Sequence, residues 1–180
     1  MSDAVLAEKS IAAVTIRRAN TSDAAVLCAA EREIAKTPGR LVSLPDELIE
    51  DNFAEKIEQL QDGSYLVAER DGVIVGHAFL VAPSPQRRLA HVRYLNLVVH
   101  APYAGQGIGT ALLRALQNAT RANGIERIEL RVRATNIAAV NLYKKCGFTE
   151  EFTSLRRIKL EDGTYLDDMS MVWFAPEASA

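Results

Sequence analysis

Hydrophobic positions along the 180-residue chain change period several times, and each change marks an element. Residues 13–17 alternate as a short edge strand would, and Asn20, Thr21, Ser22 and Asp23 offer caps for a helix that carries Ala24, Leu27, Cys28 and Ile34. Thr37, Pro38 and Gly39 oppose its continuation. A second helix is expected from Pro45 and Asp46 towards Leu60, closed by Asp62 and Gly63. The connecting residues 39–44 are apolar yet irregular, either a plain loop or one wall of a pocket. Two β-rich runs, residues 65–69 and 73–81, meet at Asp71-Gly72, a hairpin signal. A longer strand over residues 90–99 follows the turn at residues 83–88. The period then becomes helical: Ile108, Leu112, Leu116 and Ala119 recur on one side, with Thr110, Arg114 and Gln117 on the other. Asn123-Gly124 stops that helix. Arg127–Arg133 alternates with Ile128, Leu130 and Val132 on one face. Asn136 can cap a short helix that turns Ala139, Val140 and Tyr143 inward before Gly147 ends it. Residues 148–174 read as two strands around Asp162-Gly163.

The order is therefore β-α-α-β-β-β-α-β-α-β-β. Hairpins mixed with strand–helix–strand crossovers predict an α/β fold, a mixed and mostly antiparallel central sheet flanked by helices.

Composition narrows the function classes. With 48% hydrophobic and 24% charged residues the chain is an ordinary globular sequence. Its length suits one domain, expected over residues 12–175 behind a flexible tail at residues 1–11. Twenty-three acidic against twenty-one basic residues, net charge -2, give no electrostatic reason to expect nucleic acid as a partner. Cys28 and Cys146 fall in different predicted helices at no metal-ligand spacing, so no metal is expected and a reducing compartment suits them. Asp3 and Glu8 break any signal-peptide pattern, and no apolar run is long enough to span a bilayer, so no membrane partner is expected. These features read as a cytoplasmic protein.

The stretch Leu97-Val98-Val99-His100-Ala101-Pro102-Tyr103-Ala104-Gly105-Gln106-Gly107-Ile108-Gly109-Thr110 carries the candidate chemistry. It runs from a β-branched strand through alternate glycines into a helix. The first N–H groups of a helix lack partners, and the helix dipole adds partial positive charge there. Gly105, Gly107 and Gly109 have no side chains, so a ligand could reach the amides of Gln106, Gly107, Ile108, Gly109 and Thr110. A pyrophosphate would fit. The spacing G-x-G-x-G is neither the dinucleotide fingerprint nor the P-loop, and an ordinary glycine-rich turn is the structural alternative.

Two segments together resemble the GNAT superfamily of acyl-CoA-dependent N-acyltransferases. The glycine stretch is similar to the family's acyl-CoA motif [RQ]-x-x-G-x-[GA]. Residues 136–148, Asn-Ile-Ala-Ala-Val-Asn-Leu-Tyr-Lys-Lys-Cys-Gly-Phe, are similar to the family pattern N-x-x-A-x-x-x-Y-x-K-x-G-F. The predicted element order matches the family along nearly the whole chain. One departure stands out: the first motif position, Arg or Gln in the family, is Ala104 here. That leaves the backbone amides as the main anion donors. Within the superfamily, residues 127–171 look most like bacterial amino-acid N-acetyltransferases and, less closely, like enzymes that acetylate protein N-termini.

The resemblance implies acetyl-CoA as acyl donor, a small-molecule amine as acceptor, direct attack on the thioester, and a homodimer paired through C-terminal strands, here the apolar residues 169–174. It implies that the backbone of Leu97, Val98 and Val99 pairs with the pantetheine arm, that Gly105 through Thr110 hold the pyrophosphate, that Asn136 hydrogen-bonds the arm, and that Tyr143 protonates the departing thiolate. Asn136 and Tyr143 stand two helical turns apart, which puts both on one side. For Tyr143 the structural alternative is a core aromatic whose hydroxyl bonds the backbone. Candidate proton acceptors are Glu129, His91 and His77, with Tyr94 and Asn96 as water holders. Arg40 is the candidate for a substrate carboxylate. Two alternative functions are a protein N-terminal acetyltransferase and a catalytically silent CoA-binding module, for which Ala104 is the hint.

Overall fold

The computed structural model describes residues 14–60 and 63–176, with backbone only at 121 and 122. The expected tail at residues 1–11, the strand start at Ala13 and the closing Asp62 lie outside the described residues. Within them the elements run β1 (Thr15–Arg18), α1 (Ala24–Ala35), α2 (Glu50–Gln59), β2 (Tyr65–Arg70), β3 (Val73–Val81), β4 (Val92–Val99), α3 (Ile108–Ala122), β5 (Arg127–Arg133), α4 (Ile137–Lys145), β6 (Thr149–Lys159) and β7 (Tyr165–Phe174). This is the element order the periodicity predicts.

The described strands form one seven-stranded sheet in the order β1-β2-β3-β4-β5-β7-β6. Neighbours are antiparallel except β4 and β5, which are parallel. Helices cover both faces of the N-terminal half. Leu27, Cys28, Phe53 and Ile57 of α1 and α2 pack with Tyr65, Val67 and Phe79 on one face. On the other, Ile108, Leu112, Leu113 and Leu116 of α3 pack with Val75, Leu80, Ile128, Leu130 and Val140. Two covered faces explain why β3 is buried almost throughout, whereas β5 alternates.

Three local expectations are corrected. The helix expected from Pro45 starts only at Glu50: Pro45–Glu47 is a single 3-10 turn, and Leu48 and Ile49 are extended. Tertiary bonds hold the break, since the Leu48 carbonyl accepts from Arg32 Nε at 2.9 Å and Leu48 itself is buried. Gln117, expected on the solvent side of α3, is buried and donates from Nε2 to the Cys146 carbonyl at 2.9 Å. The apolar residues 169–174 belong to β7, an interior strand, where Met171, Val172 and Trp173 are buried within the chain itself. The C-terminal sheet edge is β6, with Phe152 and Leu155 exposed.

Candidate active site

The parallel pairing of β4 with β5 covers only three register pairs, Val92 with Arg127, Arg93 with Ile128 and Tyr94 with Glu129. Beyond Tyr94 the two strands part. On its other side β4 stays paired with β3 as far as Val99. The His100 N–H reaches the Val75 carbonyl at 3.0 Å. Antiparallel ladders alternate, so Val98 also bonds β3, while the N–H and C=O groups of Leu97 and Val99 face the open gap. Of the three expected backbone contacts, two point into the gap and Val98 does not.

At the end of β4 a short 3-10 turn, Ala101–Tyr103, leads into the glycines. Gly105 and Gly107 have φ of 74° and 83°, a left-handed backbone that favours glycine, and a Cβ at either would meet nothing within 4 Å. Gly107 is the N-cap of α3, and the Ala111 N–H is the first to return, to the Gly107 carbonyl at 3.0 Å. No backbone carbonyl among the described residues accepts from the amides of Gly105 through Thr110. Open space, free donors and the positive end of a fifteen-residue helix make this a cradle for an anion.

The other motif residues serve it differently. Gly109 is helical, and a Cβ there would lie 2.7 Å from Leu142 Cδ2 and 3.6 Å from Val99 Cγ2, so its bareness lets α3 seat on α4 and β4. The Ile108 side chain is in the core, and the Thr110 hydroxyl donates to the Cys146 thiol, which leaves their backbone N–H groups to the cradle. Gln106 accepts from Arg70 Nη1 and donates from Nε2 to the Pro102 carbonyl at 3.2 Å. This brace ties the turn to β2 where Ala104 supplies nothing. Arg70 was missed by the sequence reading because the contact joins residues far apart in the chain.

Asn136 caps α4, its Oδ1 accepting from the Ala139 N–H at 3.3 Å, which leaves Nδ2 to donate elsewhere. Tyr143 is 6% exposed, and its ring meets Phe148 edge-on at 5.7 Å. Its hydroxyl makes no hydrogen bond among the described residues, so the backbone partner of the structural alternative is missing. Burial, offset by Arg133 and reinforced by Tyr94, pushes its pKa up to about 12, which keeps the hydroxyl protonated at neutral pH.

The base candidates separate. His77 is fully buried on β3, with Nε2 2.9 Å from Glu31 Oε1, and is withdrawn from the gap. His91 precedes β4 at the end far from Val99. Tyr94 and Glu129 are register partners and share a face with Asn96 just where the strands part. Glu129 is held by Arg127 Nε at 2.7 Å. Burial raises the Tyr94 pKa, with Arg131 opposing. Arg40 is exposed and forms no ion pair among the described residues. Its neighbour Gly39 lies against β7, where a Cβ would come 2.7 Å from Leu166 Cδ1. The irregular connection thus touches the start of β7. Groups of His, Cys, Asp and Glu able to hold a metal ion are absent among the described residues, as are helices long and apolar enough to cross a membrane.

A mixed sheet parted in its middle, with a glycine cradle at the end of the parted strand, defines an acyltransferase-type architecture. The chain belongs to the acetyltransferase (GNAT) family, whose model matches residues 31–148. It is similar to a mycothiol acetyltransferase of Sanguibacter keddieii, 29% identical over 82% of this chain and 46% of the relative. It is also similar to the L-amino acid N-acetyltransferase AaaT of Escherichia coli, 34% identical over 57% of this chain and 62% of that one. The chain thus spans about half to three-fifths of the length of these relatives. A solved structure of yncA, described as a putative acetyltransferase from Salmonella typhimurium with its cofactor acetyl-CoA, superposes with a TM-score of 0.84. That match covers 93% of this chain and 97% of the other at 24% identity, and it shows the shared fold.

Proposed function

We propose that the chain is an N-acetyltransferase that passes the acetyl group of acetyl-CoA to a primary amine of a small molecule, amino acids being one such class. The observation that carries this reading is the cradle at Gly105 and Gly107 lying directly beyond the parted edge of β4. Acetyl-CoA supplies an activated thioester. The amides from Gly105 through Thr110 hold its pyrophosphate. Leu97 and Val99 offer backbone groups to the pantetheine arm, and an N–H there polarises the thioester carbonyl. Asn136 donates to the arm through Nδ2, and Tyr143 keeps a proton at Oη for the departing thiolate. The name of the amino-acid relative supports a small-molecule acceptor.

The two free cysteines suit a cytoplasmic setting. A homodimer joined along the β6 edge is part of the proposal, supported by Phe152 and Leu155 standing exposed there; light scattering that returns the mass of one chain overturns it. Thiol release from acetyl-CoA across a panel of small amines tests the activity. An N-terminal acetyltransferase or a silent binding module releases none with such a panel.

A further inference from the structure

Past the point where β4 and β5 part, charged side chains from three strands converge on the face away from α3 and α4. Asp168 of β7 is 2% exposed. Its Oδ1 lies 3.4 Å from Arg133 Nη1, and its Oδ2 lies 3.4 Å from Arg157 Nε and 4.0 Å from Arg131 Nη1. Three guanidinium groups therefore share one carboxylate. The nearby acids Glu129 and Glu151 both pair with Arg127, at 2.7 and 2.8 Å, so four guanidinium groups face three carboxylates and the face keeps an excess positive charge.

The donors are also underused. Arg133 is 9% exposed, and its Nε is buried with no hydrogen-bond partner among the described residues. A guanidinium carries five N–H donors, and among the described residues the Arg133 side chain spends one, on the long contact to Asp168. Arg131 adds one bond to Ser154 Oγ at 3.3 Å. Arg157 arrives by distortion of its own strand. The β6–β7 register slips between Ser154 and Ile158, and Arg156 takes a φ of 52°, costly for a side chain. Bulges of this kind re-aim side chains beside active sites.

Position ties the cluster to the chemistry. Arg131 and Arg133 follow Glu129 on the same face of β5, along the opened edge. The charge of Arg133 acts on the Tyr143 hydroxyl, and those of Arg131, Arg157 and Arg133 act on Tyr94. The connection carrying Gly39 touches Leu166, two positions from Asp168 on the same face of β7.

We propose that Arg131, Arg133 and Arg157, positioned by Asp168, bind the carboxylate of the acceptor, which is therefore an amine that bears a free carboxylate close to its nitrogen, the free α-amino acid class. This rests on the acetyltransferase reading above. It sets a protein N-terminus apart, because there the neighbouring carboxyl is locked in a peptide bond and carries no charge.

The test compares the twenty common α-amino acids with their α-amides on the full chain with acetyl-CoA, for the natural sequence and for Arg157→Gln. Arg157 is half exposed, so its replacement leaves the fold intact. At least one acid is expected to exceed its amide, and the variant to raise KM for that acid by about 10–100-fold, the value of a lost charge-assisted bond. KM for acetyl-CoA stays where it was. Amides matching acids across the panel, or an acid preference untouched in Arg157→Gln, overturn the proposal. If no amine is turned over, the activity reading fails instead, and thermal shift in the presence of CoA decides the cluster. Free acids that raise the melting temperature of the natural chain but not of Arg157→Gln support it, and acids no better than amides refute it.

Discussion

Gly109 sits so close to Leu142 that a methyl group on it would stand 2.7 Å from the Leu142 Cδ2 atom. Gly107, two residues earlier, faces open space in a left-handed backbone. The two glycines therefore respond to substitution in different ways. Gly109→Ala is expected to cost about 1–3 kcal/mol through overpacking, and the Gly109→Ala/Leu142→Ala pair recovers part of it in thermal melts. Gly107→Val adds strain of about 1–2 kcal/mol and also fills the cradle. Its Kd for acetyl-CoA is expected to rise by at least about tenfold, or 1.4 kcal/mol, while Gly109→Ala changes it far less. Calorimetry with an unchanged Kd for Gly107→Val removes the pyrophosphate from this turn.

Tyr143→Phe keeps the ring against Phe148 and removes a hydroxyl that bonds nothing among the described residues. Turnover is expected to fall about 10²–10⁴-fold, the usual worth of a general acid, with the melting temperature and the acetyl-CoA affinity nearly unchanged. A variant that melts early yet works at full speed takes Tyr143 out of the mechanism.

His100 gives stability a pH dependence. Burial first, then His77, holds its pKa down to about 4 from the ordinary 6.5, against the pull of a hydrogen bond to the Ile74 carbonyl and of Glu31. The unfolded imidazole thus takes a proton at a pH where the folded one does not. The contribution is intact above pH 6.5 and is lost as the pH falls towards 4. Urea midpoints measured at pH 7, 5.5 and 4 are expected to decline over this window, and His100→Gln to flatten the decline.

Asp23 anchors the start of α1 by accepting from Arg17 Nη1 at 2.8 Å, Arg17 Nη2 at 3.0 Å and the Asn20 N–H at 2.9 Å. Burial alone would raise its pKa, but these bonds keep it below the usual carboxylate value. Asp23→Asn is expected to cost about 1.5–3 kcal/mol at pH 7. Because the natural carboxylate loses its charge in acid, the gap between variant and natural chain should close below about pH 4. A gap independent of pH would show the carboxylate charge to be irrelevant.

Much of this fold was legible because the chain changes hydrophobic period wherever it changes element, and Asp71-Gly72, Asn123-Gly124 and Gly147 punctuate those changes. The break at Leu48 and Ile49 was not legible, since a bond from Arg32, on another helix, decides it. Gln117 was misplaced because α3 is flanked by α4 as well as by the sheet, which widens its buried stripe. In the candidate site, the glycine turn and the Asn136 and Tyr143 pair stand out within short segments. Which of Leu97, Val98 and Val99 faces the gap depends on register with β3, a long-range property. The arginine cluster was hidden for a similar reason: β7 inserts between β5 and β6, and residues distant in sequence become neighbours only through that order.

The parting of β4 from β5 has a consequence for what can enter the gap. An unpaired strand edge at the rim of a sheet invites another chain to add to it. Here the exposed edge of β4 lies in the interior of the sheet, flanked by β3 on one side and by the diverging β5 on the other. A second protein's strand has no approach to it, while a thin flexible arm does. The same vacancy that would glue two copies together at a border becomes, in the middle, a slot that selects visitors by their width.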